Sequence, residues 1–185
     1  WHGFDRLLKG LANYYIHSPQ YKVYFHIIGD FFNPGEREEY MSIIKENHLD
    51  PYVILHGRQA GQMLDLLFEL CDFGIGSLGR HRSGITNIKT LKNREYAARG
   101  IPFIYSEIDE DFENMPYIMK IPANEEAVDI KQILNFYNQL HITPLEIRNS
   151  IRHLSWNNQM KKVLDEMQKK DKINPNNNNI ANFAT

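Results

Sequence analysis

The sequence has very little cysteine, no excess of one charge and no long apolar run. Its one cysteine, Cys71, has no partner for an internal disulfide, so nothing in the sequence indicates an oxidising compartment. The formal net charge of the 185-residue chain is −2, whereas general nucleic-acid and membrane-surface binders carry a basic excess. No apolar run is long enough to cross a bilayer, and the start WHGFDRLLKG is unlike a signal peptide. We therefore expect a globular protein that binds no nucleic acid.

Motifs for metal binding and nucleophilic catalysis are also missing. The chain has eight histidines, but no two of them form an H-x-x-x-H pair, and Cys71 has no second cysteine with which to share a metal. The G-x-S-x-G turn that presents the serine of α/β-hydrolases does not occur. We expect neither a metal site nor a serine nucleophile.

The chain opens on Trp1, without a methionine, in the middle of an apolar pattern with helical spacing. The residues that continue this pattern are Phe4, Leu7, Leu8, Leu11 and Ala12. This start predicts that the sequence is a piece of a longer protein. Its length suits one domain, which we place at 1–170, followed by a disordered tail at 171–185 that lacks apolar density.

Between these ends, predicted strands alternate with predicted helices. The predicted strands are 21–30, 51–58, 72–78, 101–106 and 117–122. The predicted helices are 5–16, 34–47, 61–71, 91–99, 126–140, 144–154 and 156–169. This alternation indicates an α/β fold, a Rossmann-like parallel sheet with helices on both faces. Ligands of such folds bind beyond the carboxyl ends of the strands, here at Gly29–Asp30, His56–Arg58, Ser77–Gly79 and the loop into Leu91.

The sequence contains the residue pattern of a dinucleotide-binding fingerprint. Gly74, Gly76 and Gly79 in GIGSLG spell G-x-G-x-x-G, which in a dinucleotide site opens a helix whose first amides face the pyrophosphate. The residues that follow, RHRSGITNIK, have no apolar periodicity, so a strand end followed by a loop accounts for the glycines as well. An NAD-binding oxidoreductase domain is a weaker alternative.

The stretch NIKTLKNREYAARGIPFIYS, from Asn87 to Ser106, is the most informative. Thr90 is a good N-cap, so the first free amides of the helix after it point back toward the strand ends, where an anion can bind. Glu95 lies one turn further on, where its carboxylate can accept hydrogen bonds from vicinal hydroxyls. Positive charge surrounds this helix start, on Arg80, Arg82, Lys89 and Lys92. The alternative is a solvated helix face with charge pairs between neighbouring turns.

These residues resemble the donor-site segment of the group 1 (family 4) retaining glycosyltransferases, which have the two-domain GT-B fold. The family carries a Glu, seven intervening residues and a second Glu that opens a run like E-A-x-A-x-G-x-P-x-I, and LKNREYAARGIPFI is similar to it. WHGFDRLLKGLANYY, VILHGRQAGQMLDLLFELCDFGIGSL and SWNNQMKKVLDEM resemble the start, the next strand–helix–strand and the closing helix of the family's C-terminal domain. The resemblance implies that the chain is this Rossmann-like half of a GT-B protein.

The resemblance also implies roles for single residues. Glu95 matches the second acid, which holds the ribose hydroxyls, and Thr90 and Leu91 match the positions that meet the diphosphate. Asn87 stands where the family has its first acid, which contacts hydroxyls of the donor sugar. Asn87 keeps the capacity to form hydrogen bonds but carries no charge, a departure from the family that bears on both the identity of the donor sugar and turnover.

The family's phosphate-binding Arg and Lys lie near the first strand and helix of the domain, and here His2 falls about where the Lys would be. We expect Arg82 or Lys89 to supply the missing charge, because both lie in the loop before the donor-site helix. Gly57 and Arg58 match positions near the base of the nucleotide.

The resemblance implies a hexosyltransferase-like enzyme that acts in surface polysaccharide synthesis, with a UDP- or GDP-linked sugar as donor and no metal or other cofactor required. The implied location is the cytoplasm, at the inner face of the membrane, with any membrane contact made through an acceptor-binding N-terminal domain that this chain lacks. Without that domain we expect no transfer activity. The alternative is a nucleotide-sugar-binding or regulatory module without turnover, which Asn87 motivates.

Overall fold

The protein is described here by a computed structural model that covers residues 2–17 and 19–173. The strands in these ranges are β1 (Phe25–Ile28), β2 (Val53–Gly57), β3 (Gly74–Ile75), β4 (Phe103–Tyr105) and β5 (Ile118–Lys120). The α-helices in these ranges are α1 (Phe4–Tyr15), α2 (Pro34–Glu46), α3 (Gly61–Glu69), α4 (Leu91–Arg99), α5 (Ile130–Asn138), α6 (Pro144–Ser150) and α7 (Trp156–Ile173). Short 3₁₀ turns occupy Arg80–Ser83 and Arg152–Leu154.

All paired strands run parallel, which confirms the predicted α/β class. β1 pairs with β2, with Phe25 opposite Val53, while β3, β4 and β5 pair in that order, with Phe103 between Gly74 and Ile118. Within the described ranges the two groups of strands are not hydrogen-bonded to each other. β1 is four residues long where 21–30 was predicted, because a strand extends only as far as it has a neighbour to pair with.

Helices cover both faces of the sheet formed by β3, β4 and β5, as predicted, and β4 shows how. Side chains alternate along a strand, so Ile104 faces one way while Phe103 and Tyr105 face the other. Ile104 packs into a core built with the buried residues of α1, α2 and α5. Phe103 and Tyr105 pack with Ala97 of α4 and Ile147 of α6.

At the carboxyl terminus the helices differ slightly from the predicted ones. α6 ends at Ser150 and a 3₁₀ turn takes up the rest of the segment predicted as one helix, 144–154. α7 continues to Ile173, three residues into the predicted tail, and residues 174–185 lie outside the described part of the chain. Across 2–17 and 19–173, the structure contains no helix with the length and apolar character needed to cross a membrane.

Candidate functional site

The helix that carries the predicted donor site, α4, starts and ends where the sequence places it. Thr90 is the N-cap, and its Oγ1 accepts a hydrogen bond from the Asn93 amide at 3.3 Å. Leu91, the first residue of the helix, is 84 % exposed, whereas Asn93 on the same turn is buried. Gly100 ends the helix at φ +78°, a left-handed conformation that glycine adopts without strain.

Buried polar contacts fasten the start of α4 to the segment after β4. Asn93 is buried, and its Nδ2 donates to Asp109 Oδ2 at 3.1 Å. Arg94 donates to both oxygens of Asp109, at 2.9 and 3.1 Å, and also to Asp111. Because Asp109 is itself buried, these bonds fix the direction in which the first amides of α4 point.

The amino-terminal residues lie against the end of β3. The His2 carbonyl oxygen accepts a hydrogen bond from the Leu78 amide at 2.8 Å. Gly3 adopts φ +71°, and a Cβ atom there would lie 2.6 Å from the Gly79 nitrogen, so only glycine fits this contact. His2 is thereby placed beside the carboxyl end of β3 and the start of α4.

A cavity of about 860 Å³ reaches this edge of the fold, and its lining extends to residues before β1 and β3, at the opposite ends of these strands. Its lining includes Asp30 after β1, Arg58 after β2, and Lys92 and Glu95 of α4, together with His2. Two residues that the sequence analysis assigned to the donor site, Arg58 and Glu95, therefore share one cavity although they are 37 positions apart (95 − 58). The cavity volume falls within the range of about 300–1,000 Å³ that small-molecule sites occupy.

The charged side chains at the edge of the cavity are held loosely. Arg58 Nε lies 3.3 Å from Asp30 Oδ2, and both side chains are mostly exposed, so solvent screens this ion pair. Glu95 Oε1 accepts a hydrogen bond from Arg99 Nε at 2.6 Å. Arg99 is in turn held by Asp65 and lies over the Phe68 ring. Among the described residues no hydrogen bond reaches Glu95 Oε2, which leaves that oxygen to accept bonds from a ligand.

Arg82, one of the two predicted phosphate ligands, lies outside this lining and is held by two carboxylates. It forms a two-pronged pair with buried Asp5, at 2.8 and 2.9 Å, and also bonds Glu125. Burial alone would raise the pKa of Asp5, but the hydrogen bonds from Arg82 and Lys9 lower it to about 2. The hydrogen bonds of Arg82 and His81 likewise lower the pKa of Glu125 to about 2. Arg82 would have to leave these partners to bind a phosphate.

Lys89 and Asn87 lie on the segment that leads into α4, and the described cavity lining includes neither of them. Lys89 Nζ lies 3.2 Å from Glu110 and 3.3 Å from Asp111. Asn87 forms a parallel bridge with Ile108, so the loop before α4 runs alongside the segment after β4. The side chain of Asn87 is exposed. Gly57 ends β2 at φ +63° and turns the chain into Arg58.

Lys92 lines the cavity, as do the cations Lys22 and Arg58. Its Nζ lies 4.9 Å from the centre of the Phe4 ring, a cation–π contact. Burial and the nearby charge of Arg80 lower the pKa of Lys92 to about 8. Burial, Lys92 and Arg80 together lower the pKa of His2, which stacks on Phe4, to about 4.

Sequence reasoning missed a histidine pair on the neighbouring strands. The His26 and His56 rings stack with their centres 5.1 Å apart, and Nδ1 of the first lies 2.9 Å from Nε2 of the second. Burial, and then His56, lower the pKa of His26. His26 is the second residue of β1, opposite Ile54, and His56 is the last but one of β2, so the two rings meet across neighbouring parallel strands.

The three glycines of the apparent dinucleotide fingerprint are explained by packing. Cβ atoms would lie 2.6 Å from the Tyr96 ring at Gly74, 2.7 Å from the Ile104 oxygen at Gly76 and 2.9 Å from the Gly3 Cα at Gly79. A short 3₁₀ turn, and not an α-helix, follows them. The helix terminus that a pyrophosphate would need within this motif is absent from this part of the described chain.

The described residues contain no group of three or more His, Cys, Asp or Glu side chains arranged to hold a metal ion. Comparison of the chain with family models, with curated proteins and with solved structures gave no match. The resemblance to group 1 glycosyltransferases therefore stays a prediction.

Proposed function

We propose that this chain is the nucleotide-sugar-binding domain of a retaining glycosyltransferase, the C-terminal half of a GT-B enzyme. One observation carries the proposal: Arg58 and Glu95 line the same cavity, which reaches the carboxyl ends of the parallel strands. The resemblance assigns these two residues to opposite ends of a nucleoside, the base and the ribose. Open parallel sheets bind their ligands at this edge.

The roles follow from the chemistry of each group. The free oxygen of Glu95 accepts hydrogen bonds from the ribose hydroxyls, which a carboxylate does better than a neutral acceptor. Arg58, once it leaves the solvent-exposed carboxylate of Asp30, packs against or bonds the base. The free amides at Thr90 and Leu91 face the diphosphate.

Transfer of the sugar builds negative charge on the departing diphosphate as the glycosidic bond breaks. Fixed amides and cations near that oxygen stabilise the transition state more than the ground state, and this difference lowers the barrier. Arg82 and Lys89 remain candidates for this charge, provided that they leave their carboxylates. Asn87 remains the candidate that bonds hydroxyls of the donor sugar.

The rest of the proposal concerns the longer protein. An acceptor-binding domain elsewhere in it completes the cleft, and the enzyme works on surface polysaccharide at the inner face of the membrane. The present chain binds the donor without transferring it.

Calorimetric titration of the chain with UDP, GDP and NAD tests this function. We expect one nucleoside diphosphate to bind and NAD not to bind. Binding of NAD alone would overturn the proposal in favour of an oxidoreductase domain built on Gly74, Gly76 and Gly79.

A second candidate is a nucleotide-sugar-binding module without turnover, favoured by the neutral side chain of Asn87 in the position of an acid. Transfer activity of the full protein, wild type against Asn87→Glu, separates the two candidates. An inactive wild type that gains activity with Glu at this position favours the module. An active wild type favours the enzyme.

A further inference from the structure

Positive charges around the start of α4 differ sharply in how they are neutralised. Arg82, Lys89 and Arg94 each lie against two carboxylates. Lys92 lies in the first turn of α4. Among residues 2–17 and 19–173, its ammonium has no ion pair with a carboxylate and no hydrogen-bond acceptor. Its described contact is the face of the Phe4 ring.

Three features of this position make the charge of Lys92 unfavourable in the free protein. Lys92 is the second residue of a helix with no acid in its first turn, where the helix dipole repels a cation. Arg80, which acts on Lys92, is also a cation, and His2 is neutral at pH 7. Neither of them compensates the charge of Lys92. Its side chain is also partly withdrawn from water, which disfavours the charged form.

The nearest acid on its own helix does not relieve this charge. Glu95, three positions on, gives its bonded oxygen to Arg99, on the side of the helix toward α3. The other acids in the cavity lining have partners of their own: Asp30 pairs with Arg58, Glu36 accepts from the Phe32 amide and the Tyr40 hydroxyl, and Asp72 accepts from the Tyr137 hydroxyl. An anion bound beside Lys92 removes all three penalties at once, because it neutralises the ammonium and also meets the free amides of α4.

We propose that Lys92, with His2 beside it in the cavity lining, forms an anion site that takes phosphate groups. The identification of its ligand as the diphosphate of a nucleotide sugar rests on the proposed function above. The site itself requires only an anion of the phosphate class. This assignment differs from the sequence-based one, which placed the phosphate-binding charge on Arg82 or Lys89.

His2 adds a donor to the site. Its Nδ1 is buried and has no hydrogen-bond partner among the described residues. Because the pKa of His2 is about 4, the ring is neutral at pH 7 and carries one proton. With that proton on Nδ1, His2 donates a hydrogen bond to a phosphate oxygen without adding to the charge.

Lys92→Met and Lys89→Met are the matched variants that test the site. Both replace a lysine by an apolar side chain of similar length, three residues apart, but only Lys92 lies in the cavity lining. Each is titrated calorimetrically with sodium pyrophosphate, UDP and GDP in a phosphate-free buffer of low salt. We expect Lys92→Met to weaken pyrophosphate and nucleoside diphosphate binding by about tenfold or more, and Lys89→Met by less than about twofold. Thermal unfolding checks that both variants fold, and His2→Phe, which removes the free Nδ1, replaces Lys92→Met if the latter does not fold.

The outcomes separate this inference from the proposed function. Unchanged pyrophosphate affinity in Lys92→Met overturns the anion site, and if UDP or GDP still binds, the proposed function stands. Pyrophosphate binding that depends on Lys92, without binding of either nucleotide, supports the anion site and overturns the proposed function. A wild type that binds none of the three overturns both.

Discussion

The ammonium of Lys92 lies 4.9 Å from the centre of the Phe4 ring, so the charge in the first turn of α4 faces an aromatic ring and not a carboxylate. Lys89, three residues earlier, is held by Glu110 and Asp111. Two lysines that look equivalent in the sequence are thus different in the fold: one has its charge neutralised and the other does not.

The first prediction is that Lys92→Met stabilises the free protein. The pKa of Lys92 falls from 10.5 to about 8, so the charged side chain costs free energy on folding at pH 7. Because a tenfold change in a proton-binding constant corresponds to about 1.4 kcal/mol, we expect the free energy of unfolding to rise by about 1–3 kcal/mol in the variant. Urea unfolding measures this difference.

The sign of the pH dependence follows from the same lowered pKa. Between pH 8 and 10.5 the unfolded chain keeps a proton that the folded chain has released, so the stability of the wild type rises with pH in this window. We expect the gain from Lys92→Met to shrink between about pH 8 and 10.5. A variant less stable than the wild type at pH 7 would contradict this account of Lys92.

The second prediction separates capping from ligand binding. Thr90 caps α4 and Thr143 caps α6, each by accepting a hydrogen bond from a backbone amide of its helix. We expect Thr90→Ala and Thr143→Ala each to lower the free energy of unfolding by about 1 kcal/mol. Calorimetry with the bound nucleoside diphosphate should show weaker binding only for Thr90→Ala. Equal affinities of the two variants would remove the start of α4 from the site.

The third prediction concerns Arg82, which holds the buried carboxylate of Asp5. We expect Arg82→Met to lower the free energy of unfolding by about 2 kcal/mol at pH 7, because it removes the main partner of a buried charge. The exposed Arg37 is the control, and Arg37→Met should leave stability within about 0.5 kcal/mol.

The pH dependence of Arg82→Met follows from Asp5, whose pKa falls from 3.8 to about 2. The stabilisation by the pair is present above pH 3.8 and is lost as the pH falls toward 2, so wild type and variant should converge in this window. The nucleotide affinity of Arg82→Met also tests the sequence-based prediction that Arg82 binds phosphate: an unchanged affinity would remove that role.

The sequence predicted the bounds of α4 correctly because the signals that set them are local. Thr90 caps its start, and Gly100 ends it in a left-handed conformation. The class of the fold followed from the alternation of apolar strands and amphipathic helices, which is also a local pattern. Strand ends were less accurate, as in β1, because the length of a strand depends on its neighbour.

The partners of the charged residues were not predictable in this way. Arg82 and Asp5 are 77 positions apart, and only the fold shows that they pair. In the same way, Lys89 and Lys92 look alike in the sequence. In the fold, acids of the segment after β4 contact Lys89, whereas the Phe4 ring contacts Lys92. Spacing identifies the helix that bears the site, whereas tertiary contacts decide which of its charges are available.

The most direct test of the central claim, that Glu95 holds the ribose of a nucleoside diphosphate, compares ligands with and without the 2′-hydroxyl. Calorimetry measures the affinity of the wild type, of Glu95→Gln and of a control, Glu39→Gln, for UDP and 2′-deoxy-UDP. Glu39 is an exposed glutamate on α2. If GDP is the ligand, GDP and 2′-deoxy-GDP are used instead. We expect the wild type and the control to prefer the ribonucleotide by about tenfold and Glu95→Gln to lose that preference. A preference that survives in Glu95→Gln would contradict the account.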